Sequence, residues 1–124
     1  MDRIYEAYYG NLGEAMRKKT RDRINWIKNR ISGDAILDVG CSQGILPILL
    51  GRDGLHVTAI DINEEAIAFA NEVLNQECAA KENVEFIFNS NIIKLVGNNK
   101  LESITIKNNG SNIESNIDVD GLFI

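Results

Sequence analysis

The chain has 124 residues, 44% of them hydrophobic and 25% charged, with a net charge of −5. That length accommodates one core without disulfide or metal staples, and the composition is that of an ordinary soluble globular chain. No apolar run reaches the roughly 20 residues that span a bilayer and no signal peptide opens the sequence, so a cytoplasmic location is expected.

Eight of the 13 basic residues precede Gly33: Arg3, Arg17, Lys18, Lys19, Arg21, Arg23, Lys28 and Arg30. Such a stretch suits an acidic substrate, RNA or a ligand carboxylate, but a solvated helix face is the preferred reading. Aromatic residues are not interleaved with these charges and the remainder is acidic, which argues against a nucleic-acid groove. Leu12, Met16, Ile24, Ile27 and Ile31 keep helical spacing with Trp26 on or near the stripe, and Ser32-Gly33-Asp34 ends that helix.

A first strand, Ala35-Ile36-Leu37, runs into Asp38-Val39-Gly40-Cys41-Ser42-Gln43-Gly44, and a helix is predicted from about Gly44 to Arg52. Pro47 is tolerable there because a first helical turn has no partner for its missing N–H. After Asp53-Gly54, a second strand from His56 to Ile60 is closed by Asp61. Asn63 is a plausible N-cap for a helix lasting to about Ala80, with Ala66, Ile67, Ala70, Val73 and Leu74 as its apolar stripe. Val84 to Phe88 is a third strand. Right-handed crossovers put the three strands in one parallel sheet, with the second between the others.

After residue 88 helical spacing disappears and asparagine becomes dense. Gly97-Asn98-Asn99 and Asn108-Asn109-Gly110 are turn signals separating Ile92–Val96, Leu101–Lys107 and Ile113–Val119, an antiparallel meander. Asp120 to Ile124 reads as a buried final strand. Cys41 and Cys78 are too far apart in sequence to suggest a zinc site or redox pair, and no metal ligand set is identified. Cys41 reads as a ligand-wall residue, Cys78 as helix packing, and His56 as structural.

The turn between the first strand and its helix carries the functional signal. Gly40, Ser42 and Gly44 permit a tight reversal and close ligand approach, and unpaired helix N–H groups favour negative charge. Asp61, as an acceptor-only carboxylate, suits the two hydroxyls of a ribose. A dinucleotide turn reads G-x-G-x-x-G. Here Ser42 and Ile45 stand at its second and third glycines, which weakens the NAD reading. The D-V-G-C-S-x-G pattern with Asp61 downstream resembles the first two motifs of class I S-adenosylmethionine (SAM) dependent methyltransferases, over roughly residues 1–88. The family usually has glycine where Ser42 stands. The resemblance implies SAM as cofactor and S-adenosylhomocysteine as product. It sets Gly40, Cys41, Ser42 and Gly44 beside the methionine part, Asp38 at its amino group, Asp61 at the ribose and Ile62 against the adenine. The family's adenine-binding acid falls at about Ser90, with Asn89 or Asn91 as substitutes. No general base is identified, and the methyl acceptor is not specified.

Residues 82–124 resemble a different family. Val84-Glu85-Phe86-Ile87-Phe88-Asn89, Lys100 to Asn108 and Val119-Asp120-Gly121-Leu122-Phe123-Ile124 are similar to the pyridine-nucleotide domain of thioredoxin reductases, without its C-x-x-C pair or NADP-reading arginines. The two resemblances imply one α/β Rossmann-like three-layer sandwich over 1–124, with parallel order 3-2-1-4 and a C-terminal β-meander. Its parts are a helical segment (1–33), a cofactor-binding βαβαβ unit (34–88), and the meander with the final strand (89–124). The expected function is a SAM-dependent methyltransferase domain, truncated or recombined near residue 88, with weak turnover. The alternative is a non-catalytic Rossmann-like scaffold or nucleotide-binding module; a reductase fragment is weaker. An uncovered final strand further predicts a homodimer.

Overall fold

The computed structural model describes residues 3–10, 13–77 and 79–124. Leu12 and Cys78, on which the expected helix start and the expected packing fall, lie outside the described residues. Among the described residues before the first strand are two helices, α1 (Arg3–Tyr9) and α2 (Gly13–Lys28). Gly10, at φ +57°, terminates α1 with its N–H on the Glu6 carbonyl (2.9 Å), as a left-handed residue does at a helix end. Ile24 and Ile27 are buried, but Trp26 is 55% exposed, with the Arg30 guanidinium 3.9 Å from its ring centroid. Trp26 therefore lies off the core stripe, covered by a cation rather than by the sheet.

The alternating segments are β1 (Ala35–Val39), α3 (Ile45–Arg52), β2 (His56–Asp61), α4 (Glu64–Asn75) and β3 (Val84–Phe88). The α3 sequence is apolar on nearly every side and is buried from Pro47 to Gly51, as expected of a helix without a polar face. On α4, the Asn63 side chain accepts from the Ala66 N–H and the five expected apolar residues are buried. This helix stops at Asn75, earlier than the expected Ala80. Gln76 and Glu77 bond back three residues, to Val73 and Leu74, and Ala80 and Lys81 then close a turn on the Glu77 carbonyl. Tight i→i−3 bonds of this kind end helices.

Beyond β3 come β4 (Ser90–Gly97), β5 (Leu101–Asn108), β6 (Glu114–Asp118) and β7 (Gly121–Phe123). The parallel sheet has the order β3-β2-β1-β7, which is the expected 3-2-1-4, and β4-β5-β6 form a separate antiparallel sheet. Asp120 locks β7 beside β1: its N–H reaches the Ala35 carbonyl (2.7 Å) and its carboxylate accepts from the Ala35 N–H (3.0 Å).

Side chains alternate across β1, and each face meets a different layer. Ile36 packs with the helices, in one core with Ile48, Leu49, Leu50, Val57 and Leu74. Leu37 faces the meander, in a second core with Ile60, Ile104, Ile106 and Val119. The third layer of the sandwich is thus an antiparallel sheet. By alternation Asp38 falls on the helix face with Ile36, so its carboxylate points toward α2 and α3.

Candidate cofactor site

The turn after β1 is built from left-handed residues: Gly40 (φ +72°), Ser42 (φ +53°) and Gly44 (φ +86°). The Gly40 and Cys41 N–H groups donate to the Ile60 carbonyl at 2.9 and 3.1 Å, which hooks the turn onto β2. A Cβ on Gly40 would meet nothing within 4 Å, so the backbone lies open at this glycine. Gly44 does something else. It is buried, and a Cβ there would stand 2.6 Å from the Phe86 ring and 2.8 Å from the Ala70 Cβ. Its small size serves helix–sheet packing, a role that the motif alone did not assign to it.

Ser42 is a non-glycine residue in a left-handed conformation, which costs roughly 1–2 kcal/mol. Replacing Ser42 with glycine should stabilise the fold by about 0.5–1 kcal/mol, after the greater unfolded-state freedom of glycine is subtracted. Urea unfolding of the two proteins measures this directly, and a destabilised glycine variant would refute it.

The α3 N-terminus follows at once. Ile45 and Leu46 have N–H groups without intrahelical partners, Pro47 has none to satisfy, and the first helical bond joins the Ile48 N–H to the Gly44 carbonyl (3.1 Å). Across the turn, Asp61 grips both segments. Its Oδ2 accepts from the Ser42 N–H at 2.7 Å and its Oδ1 from the Asn63 N–H at 2.8 Å. An ionised carboxylate has about four acceptor positions, so capacity remains on both oxygens for ligand hydroxyls.

Asp38 is 4% exposed, and burial pushes its carboxyl up to about 7; Arg23 pulls the other way and Asp61 adds to the rise. Cys41 is buried with Ala59 and Ile67, and burial together with the Asp38 and Asp61 charges drives its thiol up to about 12. It is a poor nucleophile.

Two residues that the sequence left outside the site belong beside it. Tyr8 on α1 donates its hydroxyl proton to the Gln43 carbonyl (2.6 Å) and meets Phe69 edge-on, clamping α1 over the turn. Burial raises its phenol well above the ordinary value. Its signal was the Tyr5, Tyr8, Tyr9 set at i, i+3 and i+4 spacing. Arg23 is the other. It acts on Asp38 and lines a cavity of about 420 Å³ with Tyr9, Met16, Thr20, Ile45 and Leu46, at the start of α3.

Ile62 is 66% exposed directly after Asp61, and Phe88 stands opposite Asp61 in the β2–β3 register. Ser90 is buried at the start of β4, its hydroxyl turned to the Phe88 carbonyl (3.5 Å). The exposed polar groups near that strand end are amides: Asn91 donates to Asn109, and Asn109 donates to Asn89. Asp38, Gly40, Cys41, Ser42 and Asp61 are therefore gathered at the ends of β1 and β2, with Ile62 exposed beside Asp61 and Ser90 buried against the meander.

A family model described as "Methyltransferase domain" matches residues 31–107, more than half of the chain. The chain belongs to this methyltransferase family. The match runs past residue 88 and takes in β4 and β5. Over 50 residues the domain is 48% identical to the ubiquinone biosynthesis O-methyltransferase of Xylella fastidiosa, covering 39% of this chain and 20% of that protein. The matched region thus spans about a fifth of the length of the curated relatives. Among solved structures, a thioredoxin reductase from T. acidophilum superposes with a TM-score of 0.60 at 19% identity, covering 82% of this chain and 33% of that one. Magnesium protoporphyrin IX methyltransferase from Synechocystis PCC 6803, with bound SAM, gives 0.50 at 21%, covering 68% and 44%. At these identities both likenesses concern the fold alone.

The cofactor of the methyltransferase domain is SAM, and the residues present fit it. The open backbone at Gly40, the buried acid at Asp38 and the bridging acid at Asp61 offer surfaces for a sulfonium amino acid and a ribose. Among the described residues no helix is long and apolar enough to cross a membrane.

Proposed function

We propose that this methyltransferase domain holds SAM across the ends of β1 and β2 and, as the isolated chain, transfers its methyl group inefficiently. The observation that carries the reading is the Asp61 carboxylate, fixed by the Ser42 and Asn63 N–H groups at the lip of an open glycine turn. In this reading Asp61 takes the ribose hydroxyls, and Asp38 takes the amino group. Arg23 meets the carboxylate of the methionine part, and Ile62 covers one face of the adenine. Gly40, Cys41, Ser42 and Gly44 shape the wall, and the adenine edge falls to Asn89 or Asn91 in place of Ser90.

Bound SAM supplies an activated sulfonium methyl, so the protein has to place an acceptor in line with it. Weak turnover is supported by the ionisable groups around the turn. The thiol of Cys41 and the phenol of Tyr8 are both held protonated at neutral pH, and in this reading Asp61 is occupied by two backbone amides together with the ribose hydroxyls. Asp38 is buried beneath the turn, which leaves no exposed general base among them. The acceptor and the cellular role of the longer ubiquinone enzymes are not carried over.

Calorimetric titration with SAM, S-adenosylhomocysteine and NADPH tests the reading. SAM and S-adenosylhomocysteine should bind saturably, and Asp61→Ala should weaken both by about tenfold or more, since hydrogen bonds to a charged group contribute roughly 1.5–3 kcal/mol. Silence toward all three ligands in a folded chain would favour the alternative, a non-catalytic Rossmann-like scaffold recombined near residue 88. The likeness in fold of 82% of the chain to a thioredoxin reductase is compatible with that alternative. NADPH binding alone would overturn the methyltransferase reading.

A further inference from the structure

A second cavity lies at the other end of α3. It measures about 260 Å³ and is lined by Arg17 and Arg21 of α2 and Arg52 of α3, with Tyr5, Ile24 and Leu49 among its other walls. Three guanidinium groups bordering one small cavity is an unusual concentration in a chain of net charge −5. Arg17 and Arg21 stand four residues apart on one helix face, a spacing at which like charges repel. Arg17 is fixed further by the Tyr5 ring, whose centroid lies 5.0 Å from its guanidinium carbon.

Among the described residues, the acids near Arg17 and Arg21 leave the charge of these two largely unanswered. Asp53 borders the cavity, but its carboxylate is 3.4 Å from the Lys28 ammonium. Glu14 approaches Arg17 at 3.5 Å from a side chain 84% exposed, and such a surface pair is weak and screened. Arg52 makes other contacts as well, yet a guanidinium has five N–H groups to divide among acceptors.

We propose that this cavity is a binding site for a small phosphate-bearing anion, separate from the cofactor turn. Planar guanidinium forks match phosphate oxygens two at a time. The volume falls below the roughly 300–1,000 Å³ typical of drug-sized ligands, so it suits a phosphate or pyrophosphate group more than a whole nucleotide. The eight residues of α3 set the two sites about 12 Å apart along the helix. The buried floor and the Tyr5 wall distinguish this arrangement from a solvated basic helix face. A soluble phosphate ester and a phospholipid headgroup present the same chemistry.

The test is calorimetric titration of the full chain with inorganic phosphate and pyrophosphate at low salt, beside the double variant R17Q/R21Q. Both substitutions keep a helix-compatible residue on α2, and circular dichroism checks the fold. Saturable pyrophosphate binding, weakened by at least about tenfold in the variant, is expected, with SAM titration unchanged. Flotation with phosphatidylglycerol vesicles separates the sources. Vesicle binding that the variant loses and pyrophosphate competes away assigns the site to a headgroup; pyrophosphate binding without vesicle binding assigns it to a soluble ester. If neither anion binds the folded protein, or if the variant binds equally well, the proposal is overturned.

Discussion

Replacing Asp38 with asparagine should stabilise the domain by about 2–4 kcal/mol at pH 8 and leave it nearly unchanged at pH 4. The wild-type carboxyl rises from an ordinary 3.8 to about 7 on folding, chiefly through burial. The folded state therefore holds this proton more tightly than the unfolded state does. Stability is greatest below pH 4, where both forms are protonated. It declines as pH rises through the interval to about 7, where the folded state must ionise a buried acid. The rise sets a ceiling on the order of 4 kcal/mol. Asparagine keeps the shape without the charge and escapes the cost. Urea unfolding at pH 4, 6 and 8 reads this out; a difference independent of pH would show that ionisation of Asp38 is not what costs stability. The same variant should bind SAM more weakly above pH 7, because a neutral amide cannot pair with the ligand ammonium. Stability and affinity then move in opposite directions, as expected where strain is kept for function.

Gly44→Ala is the larger structural perturbation. The backbone there sits at φ +86°, which costs an L-residue roughly 1–2 kcal/mol. The added methyl would also drive into the Phe86 ring and the Ala70 Cβ, and overpacking of this kind costs about 1–3 kcal/mol. The sum, about 2–5 kcal/mol, corresponds to a fall in Tm on the order of 10–20 °C. Gly40→Ala is the control: its φ is +72° but its Cβ would lie in open space, so the loss should be only about 1–2 kcal/mol. Equal thermal losses for the two variants would show that the contact with Phe86 and Ala70 is not what requires glycine at 44.

The contrast between these glycines shows how much of the site the sequence reveals. The spacing of Asp38, Gly40, Ser42, Gly44 and Asp61 sufficed to place them around one turn, since strand, reversal and helix leave the chain little choice. It could not tell which glycine is held by packing, because that depends on Phe86, 42 residues after Gly44, arriving against it. Tyr8 and Arg23 were hidden for the same reason. Each reaches the turn from a separate helix, and helical periodicity says which residues share a face but not which loop that face covers. The order of the first three strands was legible because crossover handedness leaves few arrangements for parallel strands, and the place of the fourth came from the resemblance to thioredoxin reductases. The short end of α4 was not, since it depends on turn bonds around Glu77 that no apolar pattern records. Ser90 was placed by counting along the strand, and the pleat turned it inward.

The position of β7 has a kinetic consequence. Asp38 lies opposite Phe123 in the β1–β7 pairing, and the bonds that dock this strand join residues 85 apart. Closing so long a loop loses its entropy before the contact is gained, so the docking of β7 is expected late in folding. A cofactor that binds only once β7 has docked is then expected to slow unfolding more than it hastens folding.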